Sequence, residues 1–132
     1  MDIARLWWFL PRGYLLTVAI ETPILLVGLS PVHPTRRKVA AGLWLTACTY
    51  PIVVLVLPSL LDPRALYLAV AETFAPVAEC LLFRLAFGTS GEQVRRVIWR
   101  DRTAIAAANL ASFAAGELLT RVDGWGFLGP VP

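Results

Sequence analysis

Three glutamates lie inside stretches of otherwise apolar sequence, where a carboxyl group is costly and therefore informative. They are Glu21, Glu72 and Glu79. An acid at the centre of a bilayer costs about 2.5–3.5 kcal/mol on insertion scales, so such side chains should face the interior of a helix bundle and find partners there. Glu72 and Glu79 are also spaced to share one helical face. Such carboxyls can pass protons or small cations, or accept hydrogen bonds that hold helices together.

Hydrogen-bonding side chains recur in the other apolar stretches at comparable depth. A helical rise of about 1.5 Å per residue places them in the outer and central part of a membrane, level with the glutamates. The sequence therefore predicts one intramembrane polar layer, formed by Glu21, Thr46, Thr49, Glu72, Glu79, Asn109 and Ser112. In one interpretation the acids form a proton or cation path. In the other they are buried acids that hold the bundle or dock another subunit. We favour the second, because no basic residue lies at the same depth.

The elements that position this layer follow from composition. The 132 residues are 58% hydrophobic and 16% charged, against about 45–50% apolar and about 25% charged in a typical soluble domain. Four apolar runs cover residues 13–29, 39–58, 66–87 and 103–119, with lengths typical of membrane-spanning helices. We predict an all-α polytopic membrane protein with four transmembrane helices, forming one membrane-embedded domain over residues 1–132. A soluble protein in which the fourth run is a buried helix would have too little polar surface to cover the other runs.

The two halves of the chain resemble each other in outline. Glu21 in the first run matches Glu79 in the third, and Thr46-x-x-Thr49 in the second run matches Asn109-x-x-Ser112 in the fourth. Since each half contains two spans, a repeat would consist of two helical hairpins in parallel orientation, related by an axis along the membrane normal. Chance similarity between apolar helices is the alternative explanation.

Basic residues flank the runs unequally, which predicts the orientation. The side with both termini and the second loop has four cations, Arg5, Arg12, Arg64 and Arg121. The side with the first and third loops has eight, Arg36, Arg37, Lys38, Arg84, Arg95, Arg96, Arg100 and Arg102. The positive-inside rule then places both termini outside the cytoplasm. We expect these cations to be membrane-surface anchors rather than a nucleic-acid interface. The pattern is similar to that of small bacterial membrane proteins, so we expect an inner-membrane location.

No arrangement of residues indicates an enzyme, a cofactor or a metal site. The single histidine, His33, lies in a loop between Pro31 and Pro34, and we expect it to be solvated. We also expect short surface helices at residues 2–10 and 91–99. The sequence thus favours a non-enzymatic subunit or assembly factor of a membrane complex. The alternative is a component of a proton or small-cation transporter or channel. The expected partners are the lipid bilayer and either a second copy of the chain or another membrane protein.

Overall fold

Helices account for nearly all of the chain that the structure, a computed structural model, describes, namely residues 3–88 and 94–123. The helices are α1 (Ile3–Gly28), α2 (Thr35–Pro51), α3 (Leu57–Leu60), α4 (Arg64–Phe87) and α5 (Val94–Asp123). A π-helical segment, Ile52–Val56, joins α2 to α3, so that Thr35–Leu60 forms one continuous helical rod. The described residues therefore form four long rods joined by short connections, without a strand.

Prolines mark where the rods begin and where they deviate. Pro34 and Pro63 precede α2 and α4 in extended conformations. Their carbonyl oxygens accept the first hydrogen bonds of those helices. Pro51 ends the regular part of α2 and is followed at once by the π segment. Because proline has no N–H to give to the preceding turn, an irregular turn at this point is the expected local result.

Three of the rods are long and apolar enough to cross a membrane. They comprise Trp7–Gly28, Thr35–Leu60 and Arg64–Phe87. The fourth predicted run, residues 103–119, lies within α5, which is not among these three. Its apolar part is rich in alanine and is interrupted by Asn109, Ser112 and Glu117. The structure thus supports an all-helical membrane protein with three helices able to span.

The structure corrects the prediction of two separate surface helices. α1 begins at Ile3 and continues without a break to Gly28, although Pro11 lies within it. α5 begins at Val94 and runs through residues 94–99 into the fourth apolar run. The reason is local, because no glycine or proline separates Trp99 from that run. Residue 2 and residues 91–93 of the predicted surface helices lie outside the described residues.

Each long helix packs against two others, in the cyclic order α1, α2, α4, α5. Close approach needs small residues at two points. A Cβ on Gly42 would overlap Thr22 of α1, and a Cβ on Gly28 would lie 2.8 Å from the Cβ of Ala104. The buried apolar cluster, which we call the apolar core, consists of Leu25, Leu29, Ala41, Leu45, Phe83, Ala104, Ile105 and Ala108. It draws on all four long helices and sets the frame for the polar groups described next.

Candidate functional site: two buried carboxyls that link the helices

Glu21 connects three helices through its carboxyl group. The side chain projects from α1 and is only 2% exposed. Its Oε2 accepts a hydrogen bond from the Thr46 hydroxyl of α2 at 2.9 Å, and its Oε1 accepts one from the Ser112 hydroxyl of α5 at 2.6 Å. Both oxygens therefore have a donor, and each donor comes from a different neighbouring helix.

Glu79 occupies the corresponding place on α4. It is also 2% exposed. Its Oε1 accepts a hydrogen bond from the Thr49 hydroxyl of α2 at 2.7 Å, and its Oε2 accepts one from Nδ2 of Asn109 on α5 at 2.7 Å. The two glutamates thus use the same two helices, α2 and α5, as sources of donors. Together they connect all four long helices.

The donor side chains are held in place by their own helices. Thr46 and Thr49 lie within hydrogen-bond distance of the carbonyls of Gly42 and Leu45, one turn earlier. A threonine hydroxyl has a single proton. The helical carbonyl already accepts a backbone N–H, so that proton remains available for the carboxyl oxygen. Asn109 has two amide protons and uses the second for the carbonyl of Ile105 at 3.0 Å.

The six residues are related by an exchange of the two helix pairs. If α1 is swapped with α4 and α2 with α5, Glu21 takes the place of Glu79. Thr46 then takes the place of Asn109, and Thr49 takes that of Ser112. Every one of the four glutamate contacts is converted by this exchange into another contact that the structure contains. The layer therefore consists of two equivalent clusters, each with one glutamate and two donors.

Glu72 is the predicted layer residue that the structure does not bring to the others. It lies two turns from Glu79 on α4 and is only half-buried. Within the part of the chain that the structure describes, no side chain donates a hydrogen bond to its carboxyl group. Farther out, the guanidinium Nη2 of Arg64 donates to Oε1 of Glu117 at 3.0 Å. Glu72 is thus a half-buried carboxyl without a side-chain donor from the described residues, and it lies near the end of the helices that the Arg64–Glu117 ion pair marks.

The apolar core lies on the side of the six-residue layer that faces away from Glu72 and Glu117. Along α1 it begins at Leu25, one turn after Glu21, and along α4 it includes Phe83, one turn after Glu79. On α2 and α5 its members precede the donors, as Leu45 precedes Thr46. The core side chains are between 0% and 6% exposed. A path for water or ions from the polar layer toward the first and third loops would have to pass through this packed region.

A third buried carboxyl, which the sequence interpretation did not identify, lies beyond that core. Asp101 of α5 accepts the backbone N–H of Ser30 on Oδ1 and the Nε2 of His33 on Oδ2, each at 2.8 Å. His33 is 3% exposed, so the expectation that it is solvated is wrong. Nη1 of Arg37 lies 3.4 Å from Nδ1 of His33. Because arginine can only donate, Nδ1 accepts and the ring proton is on Nε2, facing Asp101.

Two cations in this region bind the end of α1. Lys38 Nζ donates to the carbonyls of Leu26 and Leu29 at 3.2 and 2.9 Å. Arg100 Nε donates to the carbonyl of Gly28 at 3.0 Å. The last carbonyls of a helix have no partner within it and carry partial negative charge, so they favour cationic donors. These two cations, expected to be surface anchors, also fix the end of α1 to α2 and to α5.

The signal that could have revealed the Asp101 site is the loop itself. A loop with two prolines in four residues has few conformations, and a rigid loop can hold a histidine in a fixed direction. Asp101 is also the one acid in an otherwise basic segment, residues 95–102. Neither feature identifies the partner, however, because the pair is separated by 68 residues in sequence.

Metal binding has no geometric support within the described residues, where no three His, Cys, Asp or Glu side chains come together in a way that could hold an ion. All four oxygens of Glu21 and Glu79 already accept hydrogen bonds. No protein-family model, no curated protein and no solved structure matches this chain. The case for function therefore depends on the geometry above.

Proposed function

We propose that this chain is a non-enzymatic subunit or assembly factor of a membrane complex, in which the buried glutamates hold a four-helix bundle together. One observation supports this most strongly. Both oxygens of Glu21 and both oxygens of Glu79 accept hydrogen bonds from side chains of the same chain. An acid that has to take up and release an ion needs a free oxygen or a water-filled approach, and the apolar core occupies one side of the layer.

The hydrogen bonds also favour insertion of the fourth run. Ser112 and Asn109 of α5 donate to Glu21 of α1 and Glu79 of α4, two helices that are able to span. If those helices cross the bilayer, residues 103–119 lie at the same depth. With four spans, the excess of cations on the first and third loops favours a cytoplasmic position for those loops and the opposite side for both termini. We further propose that the membrane is a bacterial inner membrane.

The equivalence of the two glutamate clusters favours a true internal repeat. Two unrelated hairpins have no reason to place an acid, a donor and a second donor so that exchange of the hairpins preserves every contact. A parallel repeat of two hairpins accounts for this pattern with a single local motif used twice. A four-helix bundle built in this way supplies the donors for Glu21 and Glu79 from within the chain, so these two acids are not needed for contact with partners.

Glu72 is the residue we assign to partner contact. A half-buried carboxyl in an apolar helix, without a donor from the described part of its own chain, is costly unless another molecule supplies one. A donor side chain from a neighbouring subunit would satisfy it.

The alternative, transport of protons or a small cation, has one observation in its favour. Glu117, Glu72 and Glu79 follow one another from the outer end of the helices toward the middle, so carboxyl groups are spaced along that route. The route meets the apolar core beyond Glu79, and a transporter would have to open that core. We therefore rank transport second.

The experiment that separates the two is a matched pair of glutamine variants of the full chain. The tagged protein is purified from its native membrane in a mild detergent, and the stoichiometry of any co-purifying membrane protein is measured. Glu72→Gln should reduce that stoichiometry several-fold, while Glu117→Gln, the control at the same end, should leave it near the wild-type value. Reconstituted wild-type protein should give proton, Na⁺ and K⁺ fluxes no greater than protein-free vesicles.

Two results would reject the proposal. The first is a flux above background that Glu79→Gln abolishes while the variant remains folded, which would establish the transport function instead. The second is a purified protein that is monodisperse, without any stoichiometric partner and without a second copy, because a subunit or assembly factor must associate with something.

A further inference from the structure

One face of α2 has a row of side chains that runs from the basic first turn toward the middle of the helix. This row, which we call the α2 stripe, consists of Arg36, Arg37, Ala40, Trp44 and Ala47. Its successive turns are three or four residues apart, so its members share one side of the helix. All of them except the half-buried Arg37 are exposed, and Trp44 is 40% exposed. The stripe thus presents two guanidinium groups at the loop end and an apolar surface beyond them.

The ring of Phe87 on α4 lies beside the stripe. The centre of this ring is 5.3 Å from Cζ of Arg37 and 6.3 Å from the centre of the Trp44 ring, which it meets in an edge arrangement. Between Arg37 and Trp44, one turn from each, the exposed surface of α2 is covered only by the methyl group of Ala40. The surface between the guanidinium and the indole ring is therefore low and apolar, with an aromatic ring at its side.

Both arginines have donors available to an anion. Arg36 is exposed, and neither Arg36 nor Arg37 forms an ion pair within the described residues. Nη1 of Arg37 lies 3.4 Å from Nδ1 of His33. Because a guanidinium group has several N–H donors, this contact leaves others for a second acceptor. An anion at the loop end of the stripe would thus meet hydrogen-bond donors on both side chains.

The stripe has the same polarity as a lipid molecule in the adjacent leaflet. It belongs to the rod Thr35–Leu60, which is able to span a membrane and begins one residue before Arg36. At a rise of about 1.5 Å per residue, Trp44 lies about 10 Å farther along the rod than Arg37, on the side of the bilayer interior. The cations are thus at the membrane surface and the apolar members at the depth of acyl chains. Basic sites at such a surface attract anionic lipid head groups.

We propose that the α2 stripe binds one anionic phospholipid. Its phosphate accepts hydrogen bonds from Arg36 and Arg37, and an acyl chain runs from there over Ala40 and along Trp44. Guanidinium groups present paired donors that suit phosphate geometry. The exposed indole ring favours a lipid over a soluble phosphate compound, which would leave that ring uncovered. The site is separate from the glutamate layer and from Glu72, and it does not depend on the assembly role.

Trp44 provides the readout for a direct test. A full-length variant that keeps Trp44 and replaces Trp7, Trp8, Trp99 and Trp125 by Phe is reconstituted into vesicles of phosphatidylglycerol or phosphatidylcholine with brominated acyl chains, which quench nearby tryptophan. The ratio of the two quenching efficiencies measures the preference for the anionic lipid next to Trp44. We expect a preference of several-fold. Arg36→Gln should reduce it in part, and the double variant with Arg37→Gln should reduce it to near unity.

Arg95→Gln is the matched control. Arg95 is also exposed, and it lies at the same end of the molecule on α5, the helix diagonally opposite α2 in the cyclic order. This variant should retain most of the preference. Equal quenching by the two lipids in the parent protein would overturn the proposal, as would an equal loss in Arg36→Gln and Arg95→Gln, which would indicate diffuse surface charge.

Two further outcomes count against the proposal. The first is an unchanged preference in Arg36→Gln, because this exposed side chain can be replaced without disturbing the contact of Arg37 with His33. The second is displacement of the lipid by millimolar glycerol phosphate, which would show that the occupant is a soluble phosphate.

Discussion

The buried glutamates of the layer and the buried Asp101 differ in whether their hydrogen-bond donors have a second acceptor nearby. In the glutamate layer, the hydroxyls of Thr46 and Thr49 each lie next to a carbonyl of their own helix, so removal of the acid leaves them an alternative acceptor. At Asp101 the donors are the backbone N–H of Ser30 and the Nε2 of His33, for which the described structure offers no second acceptor. We therefore expect loss of the acid to cost less stability in the layer than at the Asp101 site.

The two sites also join different parts of the chain. The glutamates link helix to helix, at positions that the helices have already brought together. Asp101 links α5 to the loop between α1 and α2, where no helix fixes the position of the chain. We conclude that the acid at the loop end contributes more to a single defined structure, although the acids in the helices are more conspicuous in the sequence.

The largest effect should come from Asp101→Leu. It leaves two buried donors without acceptors, at about 1–3 kcal/mol for each. The free energy of unfolding, measured in detergent micelles by denaturant titration, should fall by a corresponding amount. Asp62→Asn, a change at an exposed acid in a loop, should alter it by less than about 0.5 kcal/mol. Equal stability of the two variants would remove the distinction between the two kinds of site.

Intermediate effects should come from the close contacts that accompany each region. Gly42→Ala places a methyl group against Thr22 beside the glutamate layer, and Gly28→Ala places one against Ala104 near the loop end. Overpacking of this kind costs about 1–3 kcal/mol. Gly42→Ala should be the worse of the two, because its Cβ would overlap the Thr22 hydroxyl and lie 3.0 Å from the Cβ and 3.1 Å from the Cα of Thr22, whereas at Gly28 only the Cβ of Ala104 lies closer than 3.5 Å.

Gly116→Ala is the control for this pair, since nothing lies within 4 Å of the Cβ it would add. The same denaturant titration should show it to be no less stable than the wild type. A cost at Gly116 as large as that at Gly42 would mean that alanine is harmful in these helices for a reason other than close packing.

The smallest effects should be the couplings within the glutamate layer. Double-mutant cycles between Glu21→Gln and Ser112→Ala, and between Glu79→Gln and Thr49→Val, should each give about 0.6 kcal/mol, the average for hydrogen bonds between membrane helices. The proposed internal repeat requires the two coupling energies to agree. Couplings that differ by more than about 1 kcal/mol would show that the two clusters are not equivalent in energy, whatever their geometry.

Whether the sequence predicts a site residue depends on how strongly its polarity differs from that of its neighbours in the chain. Glu21 and Glu79 stand out in apolar runs, and six of the seven residues predicted for the layer do meet in the structure. Glu72 has the same contrast but lies nearer the end of its helix, where depth alone does not decide the partner. Asp101 and His33 lie among polar residues and loops, which are normally solvated. Their burial depends on packing between distant segments, which a pattern along the chain does not reveal.

The division of donors between the hairpins has a consequence for biogenesis. If α1 and α2 enter a bilayer before α4 and α5, Glu21 at that stage has Thr46 but still lacks Ser112, and the carbonyl of Gly28 still lacks Arg100. The half-made protein thus exposes acceptors that only residues near its other end can fill. A chain interrupted after α2 would keep unpaired acceptors that favour association with other helices in the bilayer. Two separately synthesised halves should therefore bind each other and reconstitute the whole protein.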